Sequence, residues 1–373
     1  MHKLIENDSA LEALLVEQAG AKVVAVDTEF MRRDTFYPQA GLLQLCFDGE
    51  PDTAWLIDPL LLESTQAIVR LFEDSEVTKV LHSGSEDLEV FQKWLGCQPT
   101  PLFDTQRAAA YLGLGFGLGY RALVEQLLGH EIPKDETRSD WLARPLSDAQ
   151  LEYAALDVVP LLEIYQRIAE KLTALGRYDW VLEDGENAAG NARAQPVYDL
   201  GRFKNSWKLA PRQLALLVAL RDWRDQRARD FDKPRAWILR DSACMEIVRR
   251  RPSSIAELRD LPDLPPSVVR KQGEALLALV RESEALPEQE LPASLPAPLN
   301  AAQRGVLKSL KQAGAQLAED WQVDAAALLP SKDYELLVRD ACGEAPVQPS
   351  HWQGWRRERL IQPLLKLARE ALS

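Results

Sequence analysis

Three acidic segments in the first half of this 373-residue chain place carboxylates where chemistry could use them. Asp27-Thr28-Glu29 lies near the end of the apolar run KVVAVDTEF, and residues i and i+2 of a strand share a face. Both carboxylates then point the same way, and neighbouring acids repel unless a cation lies between them. Asp87 follows Ser83-Gly84-Ser85-Glu86, which fits the S-x-x-E capping box and puts Asp87 in a first helical turn. An acid is favoured there anyway by the helix dipole. Tyr153-Ala154-Ala155-Leu156-Asp157 comes after a second capping box, Ser147-Asp148-Ala149-Gln150, so the Tyr153 hydroxyl and the Asp157 carboxylate share one helix face. Pro160 removes the backbone donor that would bond the Leu156 carbonyl, which predicts a kink beside Asp157. Taken singly, each segment also has a structural reading: a polar strand end, a helix-start acid, a core-edge tyrosine beside a surface acid.

The elements that must position these groups are legible in outline. KVVAVDTEF (22–30), LLQLCF (42–47) and AWLID (54–58) read as three strands too closely spaced for helical crossovers, hence an antiparallel meander. A helix near 65–73, a strand KVLHS (79–83) and a helix SEDLEVFQKWLG with Leu88, Phe91 and Leu95 at helical spacing come next. A short strand LFD and a helix near 105–112 complete the order βββαβαβα, which suits a mixed sheet with helices on its faces. The start, MHKLIENDSALEALL, reads as an amphipathic helix with Ser9 as N-cap and Gly20 closing it. Residues 176–205, with ENAAGNARAQPVYD, read as a connector, and beyond 206 only helical patterns occur, broken by LPDLPPS (261–267) and LPEQELPASLPAPLN (286–300). The expected domains are therefore 1–175, 206–288 and 296–373.

Composition narrows the chemistry. Cys46, Cys97, Cys244 and Cys342 form no C-x-x-C pair, and His2, His82, His130 and His351 are equally scattered, so a disulfide framework or a zinc cage is not indicated. A metal here must be held by carboxylates, which points to Mg²⁺ or Mn²⁺. No run of 18 apolar residues exists and the start lacks the apolar core of a secretory signal, so no membrane and a cytoplasmic location are expected. The formal net charge is −13, yet residues 202–251 hold fourteen Lys/Arg against six Asp/Glu. A basic segment beside an acidic body can bind phosphates locally, and it can equally be a solvated helical face. Trp207, Trp223 and Trp237 lie among these cations, as stacking surfaces or as core. Gly117-Leu118-Gly119-Tyr120-Arg121-Ala122 fits a dinucleotide pattern but follows a glycine-rich loop, so it reads as a flexible loop; no P-loop and no serine or cysteine nucleophile motif appears, and no nucleotide cofactor is expected.

Taken in order, D-x-E on a first strand, an Asp at a helix start and Y-x-x-x-D on a later helix resemble the three exonuclease motifs of the DEDD superfamily, in its tyrosine-containing branch. AVDTEFMR, YPQAGLLQL, KVLHSGSEDLEVF, FDTQRAAAYLG and SDWLARPLSDAQLEYAALDV are similar to the ribonuclease D family over about residues 20–170. RQLALLVALRDWRDQRARDFDKPRAWILRDSACMEIVRRRPSSIAELRDL resembles the helical HRDC module, although PDLPPSVV lacks the glycine common there. A second such module is assigned to 296–373 mainly by position. The resemblance implies an α/β ribonuclease H-like exonuclease domain followed by two all-α HRDC-type domains. It implies metal ligands Asp27, Glu29, Asp87 and Asp157, with Asp27 bridging two Mg²⁺ or Mn²⁺ ions and Tyr153 as the catalytic tyrosine. The expected activity is 3′–5′ trimming of RNA with release of 5′-mononucleotides, transfer RNA precursors being the implied substrates, by a monomer. A DNA 3′–5′ exonuclease and a non-catalytic RNA-binding scaffold are the rivals. The acids cannot separate RNA from DNA, since metals act on the phosphate and not the sugar, while the presence of all five residues opposes a decayed scaffold.

Overall fold

The strands lie side by side in the order β1 (His2–Ile5), β4 (Ala54–Ile57), β3 (Gln39–Phe47), β2 (Val23–Met31), β5 (Thr78–Leu81) and β6 (Leu102–Asp104), with β2 in the middle of the sheet. The computed structural model describes residues 1–133, 139–194, 198–344 and 346–372. β2, β3 (Gln39–Phe47) and β4 (Ala54–Ile57) form the expected antiparallel meander, with Asp27 opposite Gln44 and Glu29 opposite Leu42. β5 (Thr78–Leu81) joins β2 in parallel along Val23–Ala25 only, and β6 (Leu102–Asp104) extends the sheet. β1 (His2–Ile5) pairs in parallel with β4 and is absent from the sequence reading: four residues at an edge carry too little pattern to announce a strand. The first helix, α1 (Asp8–Glu17), is capped by Asn7, whose side chain accepts from the Ala10 amide at 2.9 Å, and not by Ser9; Gln18 ends it.

Alternation along β2 sets the layers. Ala25 belongs to the core on one face, with Ala154, Val158 and Leu161 of α6 (Asp148–Ala174); Val24 and Val26 belong to the other, with Ile68 and Phe72 of α2 (Gln66–Glu73) and Leu88 and Phe91 of α3 (Ser85–Trp94). Residues 27 and 29 therefore follow Ala25 toward α6, and residue 28 follows Val24 and Val26 toward α3. α4 (Thr105–Tyr111) and α5 (Tyr120–Leu128) add to the α6 side. Gly117 and Gly119 precede α5, so half of the segment expected as a flexible loop is the first turn of a helix.

The stretch 176–205, expected as a connector, is largely helix: α7 (Tyr178–Arg193) buries Trp180, Val181 and Ala189; residues 195–197 lie outside the described residues. Its small residues weaken the apolar period but allow close approach to β6. A Cβ on Gly185 would stand 2.0 Å from the Leu102 carbonyl oxygen.

The chain divides into two compact units. One comprises Met1–Met31, Gln39–Gln195 and Leu299–Ser373, the other Arg32–Pro38 and Pro196–Pro298. The second unit contains α8 (Pro211–Asp230), α9 (Arg235–Ile238), α10 (Asp241–Arg250), α11 (Ile255–Arg259) and α12 (Pro266–Ala285) around Leu217, Leu220, Ile247 and Leu276. After Leu299 come α13 (Ala301–Trp321), α14 (Ala325–Leu328), α15 (Ser331–Ala341), α16 (Gly354–Arg356) and α17 (Gln362–Leu372). The separate domain expected from 296 instead shares the core of the first unit. Asp184 of α7 is buried between Arg107, Arg356 and Tyr111, and Trp355 stacks on Trp180 with centroids 4.1 Å apart. The sequence hides this because Asp184 and Tyr111 meet Arg356 from 172 and 245 positions away.

Candidate active site

Asp27 and Glu29 project from β2 toward α6, and Asp157 of α6 meets them. One carboxylate oxygen from each of the three lies within 4.8 Å of the others. The helix that carries Asp157 starts as the sequence requires. The Ser147 hydroxyl accepts from the Gln150 amide at 3.2 Å, and the Gln150 side chain accepts from the Ser147 amide at 3.0 Å.

Asp87 reaches the site from the opposite face of the sheet and is not one of that close group of three. The hydroxyl of Thr28 donates to its carboxylate, so the residue between the two β2 acids holds the acid of α3. Asp87 lies in the first turn of α3 as expected, but Ser83 does not cap that helix. Its φ of +59° places it before the turn, Gly84 is the N-cap, and the Asp104 carboxylate accepts from the Ser83 and Gly84 amides at 3.1 and 3.3 Å.

Crowding and burial shift every acid of the cluster in one direction. Burial first, then the charges of Asp157 and Asp87, push Glu29 up to about 9. Burial pushes Asp157 up to about 7, opposed by the cation of Arg121 and aided by Asp87. Asp87 rises to about 6 through burial despite the Thr28 hydrogen bond. Asp27 is raised well above its ordinary range by burial and by Asp87, Asp157 and Glu29 together. Carboxylates that hold protons near neutrality for want of a counter-charge fit a divalent cation, which prefers oxygen ligands. The cluster is a candidate metal site.

Tyr153 lies one turn before Asp157, half-buried, with its ring 6.2 Å from that of Trp141. Burial and the charges of Asp157, Glu29 and Asp27 raise its phenol, so the hydroxyl stays protonated. Trp141 is fixed by Arg144, which bonds both oxygens of Asp58, the Gly41 carbonyl at 2.6 Å and the Trp141 carbonyl at 2.9 Å. A Cβ at Gly41 would come within 2.6 Å of that Trp141 carbonyl oxygen, so the approach needs glycine.

Two residues of the site went unread in the sequence, both inside the segment set aside as a loop. Tyr120 donates its hydroxyl to the Leu156 carbonyl at 3.0 Å, the carbonyl that Pro160 leaves without a backbone donor. α6 continues through Pro160, and the freed acceptor ties α5 to α6 beside Asp157. Arg121 supplies the positive charge acting on Asp157 and Tyr153. The usable signal was Pro160 itself, which predicts an orphan acceptor and hence a donor from elsewhere.

A family model described as "3'-5' exonuclease" matches residues 3–173, and one described as "HRDC domain" matches 213–280. Ribonuclease D from Pseudomonas paraeruginosa is 41% identical over 98% of this chain and 97% of its own length. The chain belongs to the ribonuclease D family. Ribonuclease D from Escherichia coli is 36% identical over 99% of both chains. The crystal structure of Escherichia coli ribonuclease D, described as an exoribonuclease involved in structured RNA processing, matches 99% of both chains with a TM-score of 0.90. The catalytic core of RRP6 from Trypanosoma brucei shares the fold over 77% of this chain, at 23% identity and a TM-score of 0.56. Ribonuclease D membership makes the protein a 3′–5′ exoribonuclease, a hydrolase acting on RNA, with a mixed-sheet exonuclease domain and a helical HRDC region. Among the described residues, no helix is long and apolar enough to cross a membrane.

Proposed function

We propose that the 3′–5′ exoribonuclease activity runs through Asp27, Glu29, Asp87 and Asp157, which hold two Mg²⁺ or Mn²⁺ ions, with Tyr153 as the catalytic tyrosine. The observation that carries this reading is the convergence of Asp27, Glu29 and Asp157 within 4.8 Å, with Asp87 held beside them by Thr28. When bound, the ions acidify water and neutralise charge on the phosphate and on the departing 3′ oxygen. The protein's own groups do the placing. A tyrosine hydroxyl that keeps its proton is a poor base and a good hydrogen-bond donor or acceptor, so Tyr153 orients water for attack. Tyr120 of α5 ties down the Leu156 carbonyl next to Asp157, and Thr28 of β2 holds the Asp87 carboxylate. Transfer RNA precursors are the proposed substrates, 5′-mononucleotides the products, and the helices after Leu299 a second HRDC-like module. On this reading the enzyme works as a monomer in the cytoplasm.

The test uses RNA labelled at its 5′ end with Mg²⁺, Mn²⁺ or EDTA, beside the same strand as DNA and an Asp157→Ala control. A ladder shortening from the 3′ end of RNA, lost in EDTA and in the variant, is the expected result. Tight binding without cleavage in either metal would leave the scaffold reading in its place.

A further inference from the structure

The antiparallel pairing of β2 with β3 sets Gln44 directly opposite Asp27, so the two side chains leave the sheet on the same face. Gln44 is fully buried, and neither its Oε1 nor its Nε2 has a hydrogen-bond partner among the described residues. A carboxamide offers two donors and two acceptor sites, and burying them all unmade costs the free energy of stripping their water. A position that needed only bulk would be filled more stably by leucine or methionine.

The neighbours of Gln44 narrow what its amide can serve. Leu42 and Cys46 flank it on the same face of β3, and Leu56 faces it from β4. These three share one core with Ala154, Val158 and Leu161 of α6. The Cys46 thiol is already turned to the Pro51 carbonyl oxygen at 3.3 Å. On β2 the same face carries Ala25, Asp27 and Glu29. The polar partners beside Gln44 within the sheet are therefore two carboxylates, Asp27 straight across and Glu29 on the diagonal. Directly opposed residues have Cβ atoms about 4.5–5.5 Å apart, within reach of a glutamine amide for an aspartate.

A group that holds Asp27 for a metal must meet one condition. A lysine or arginine would grip the carboxylate but neutralise the charge that a divalent cation needs. A carboxamide N–H bonds an anion more strongly than it bonds a neutral acceptor, and it adds no charge. Metal-binding carboxylates are commonly fixed by such outer hydrogen bonds, which set the oxygen that faces the ion.

We propose that Gln44 is a positioning residue for the metal site, its carboxamide N–H holding the Asp27 carboxylate in the orientation that binds Mg²⁺ or Mn²⁺. The proposal rests on the reading of the acidic cluster as a cation site and deepens it by naming the group behind Asp27.

The experiment takes full-length protein without RNA, treated with EDTA, exchanged into buffer lacking it, and titrated with Mn²⁺ by calorimetry. Gln44→Met keeps the length and bulk of the side chain and removes the amide. Its Mn²⁺ affinity should fall about 10- to 100-fold. In EDTA, with no partner to lose, it should melt no lower than the wild type. Gln44→Asn keeps the donor at shorter reach and should fall between the two in Mn²⁺ affinity. In cleavage assays at saturating Mn²⁺, Gln44→Met should lower kcat about tenfold with KM for RNA within about twofold, because the buried amide does not meet RNA. Unchanged Mn²⁺ affinity in Gln44→Met, beside a wild type that binds, would overturn the assignment. So would a variant that melts well below the wild type in EDTA, since the amide would then be a support of the sheet. Equal affinities for Gln44→Asn and Gln44→Met would overturn the donor role. A wild type that binds no Mn²⁺ would instead refute the cation site itself, and the assignment with it.

Discussion

Binding of Mg²⁺ or Mn²⁺ should expel protons from the acidic cluster, in a number set by its carboxyl groups. At about pH 7 Glu29, pushed up to about 9, is almost wholly protonated, and Asp157, pushed up to about 7, is about half protonated. Asp87, pushed up to about 6, has mostly ionised, and the raised Asp27 adds to the store of protons. A cation needs these groups charged, so binding near neutrality releases between about one and about three protons. Each proton displaced makes the apparent affinity climb about tenfold per pH unit, ~1.4 kcal/mol. The same groups govern the stability of the metal-free protein. A carboxyl group raised by folding holds its proton more tightly in the folded than in the unfolded chain. Its contribution is complete below the ordinary carboxylate range and is lost as the pH climbs through the folded value, for Glu29 between 4.5 and about 9. Metal at about a hundred times its Kd should restore ~2.7 kcal/mol. That corresponds to ~5 °C in the melting of the unit that holds the site, and at one fixed metal concentration the gain is larger at alkaline than at acid pH. Titration calorimetry in buffers of different ionisation heat counts the protons, and scanning calorimetry reads the melting. Metal binding without proton release near pH 7 would refute the view that these carboxyl groups wait protonated for a cation. An unchanged Tm in saturating metal would refute the cluster as a cation site.

Tyr153→Phe should slow cleavage by about a hundredfold while RNA affinity in EDTA stays within about twofold, since only an orienting hydrogen bond is removed. Equal losses in rate and affinity would count against that role. Asp184→Asn should cost about 3–5 kcal/mol, because it leaves Arg356 buried without its counter-charge, and thermal unfolding of the full chain checks this. Against burial, which pushes it up, Arg356 and Arg107 hold the Asp184 carboxyl below its ordinary range, aided by the Tyr111 hydroxyl. Its stabilisation is therefore present above that range and lost as acid carries the pH down through the folded value. A variant that melts with the wild type would show that the network does not hold α7 to α16.

Short-range rules made much of this protein readable before folding. Period-two alternation in VVAVDTEF puts Asp27 and Glu29 on one face, the Ser147–Gln150 capping box starts the helix that carries Tyr153 and Asp157, and the meander follows from three strands without crossovers. These features depend on neighbours within a turn or a pleat, where sequence spacing is spatial spacing. The remainder required distant chain segments to meet. Ser83 matched a capping pattern, yet Asp104 takes over its backbone turn from twenty-one residues away. Pro160 signalled an orphan carbonyl, but only packing could reveal that Tyr120 supplies the donor. The second helical module looked separate because Arg356 finds Asp184 across 172 positions. The positive charge of 202–251 looked free until eight of its cations met acids. Identity and local geometry are written along the chain, whereas which charges and donors remain unspent is decided only when tertiary structure pairs the rest.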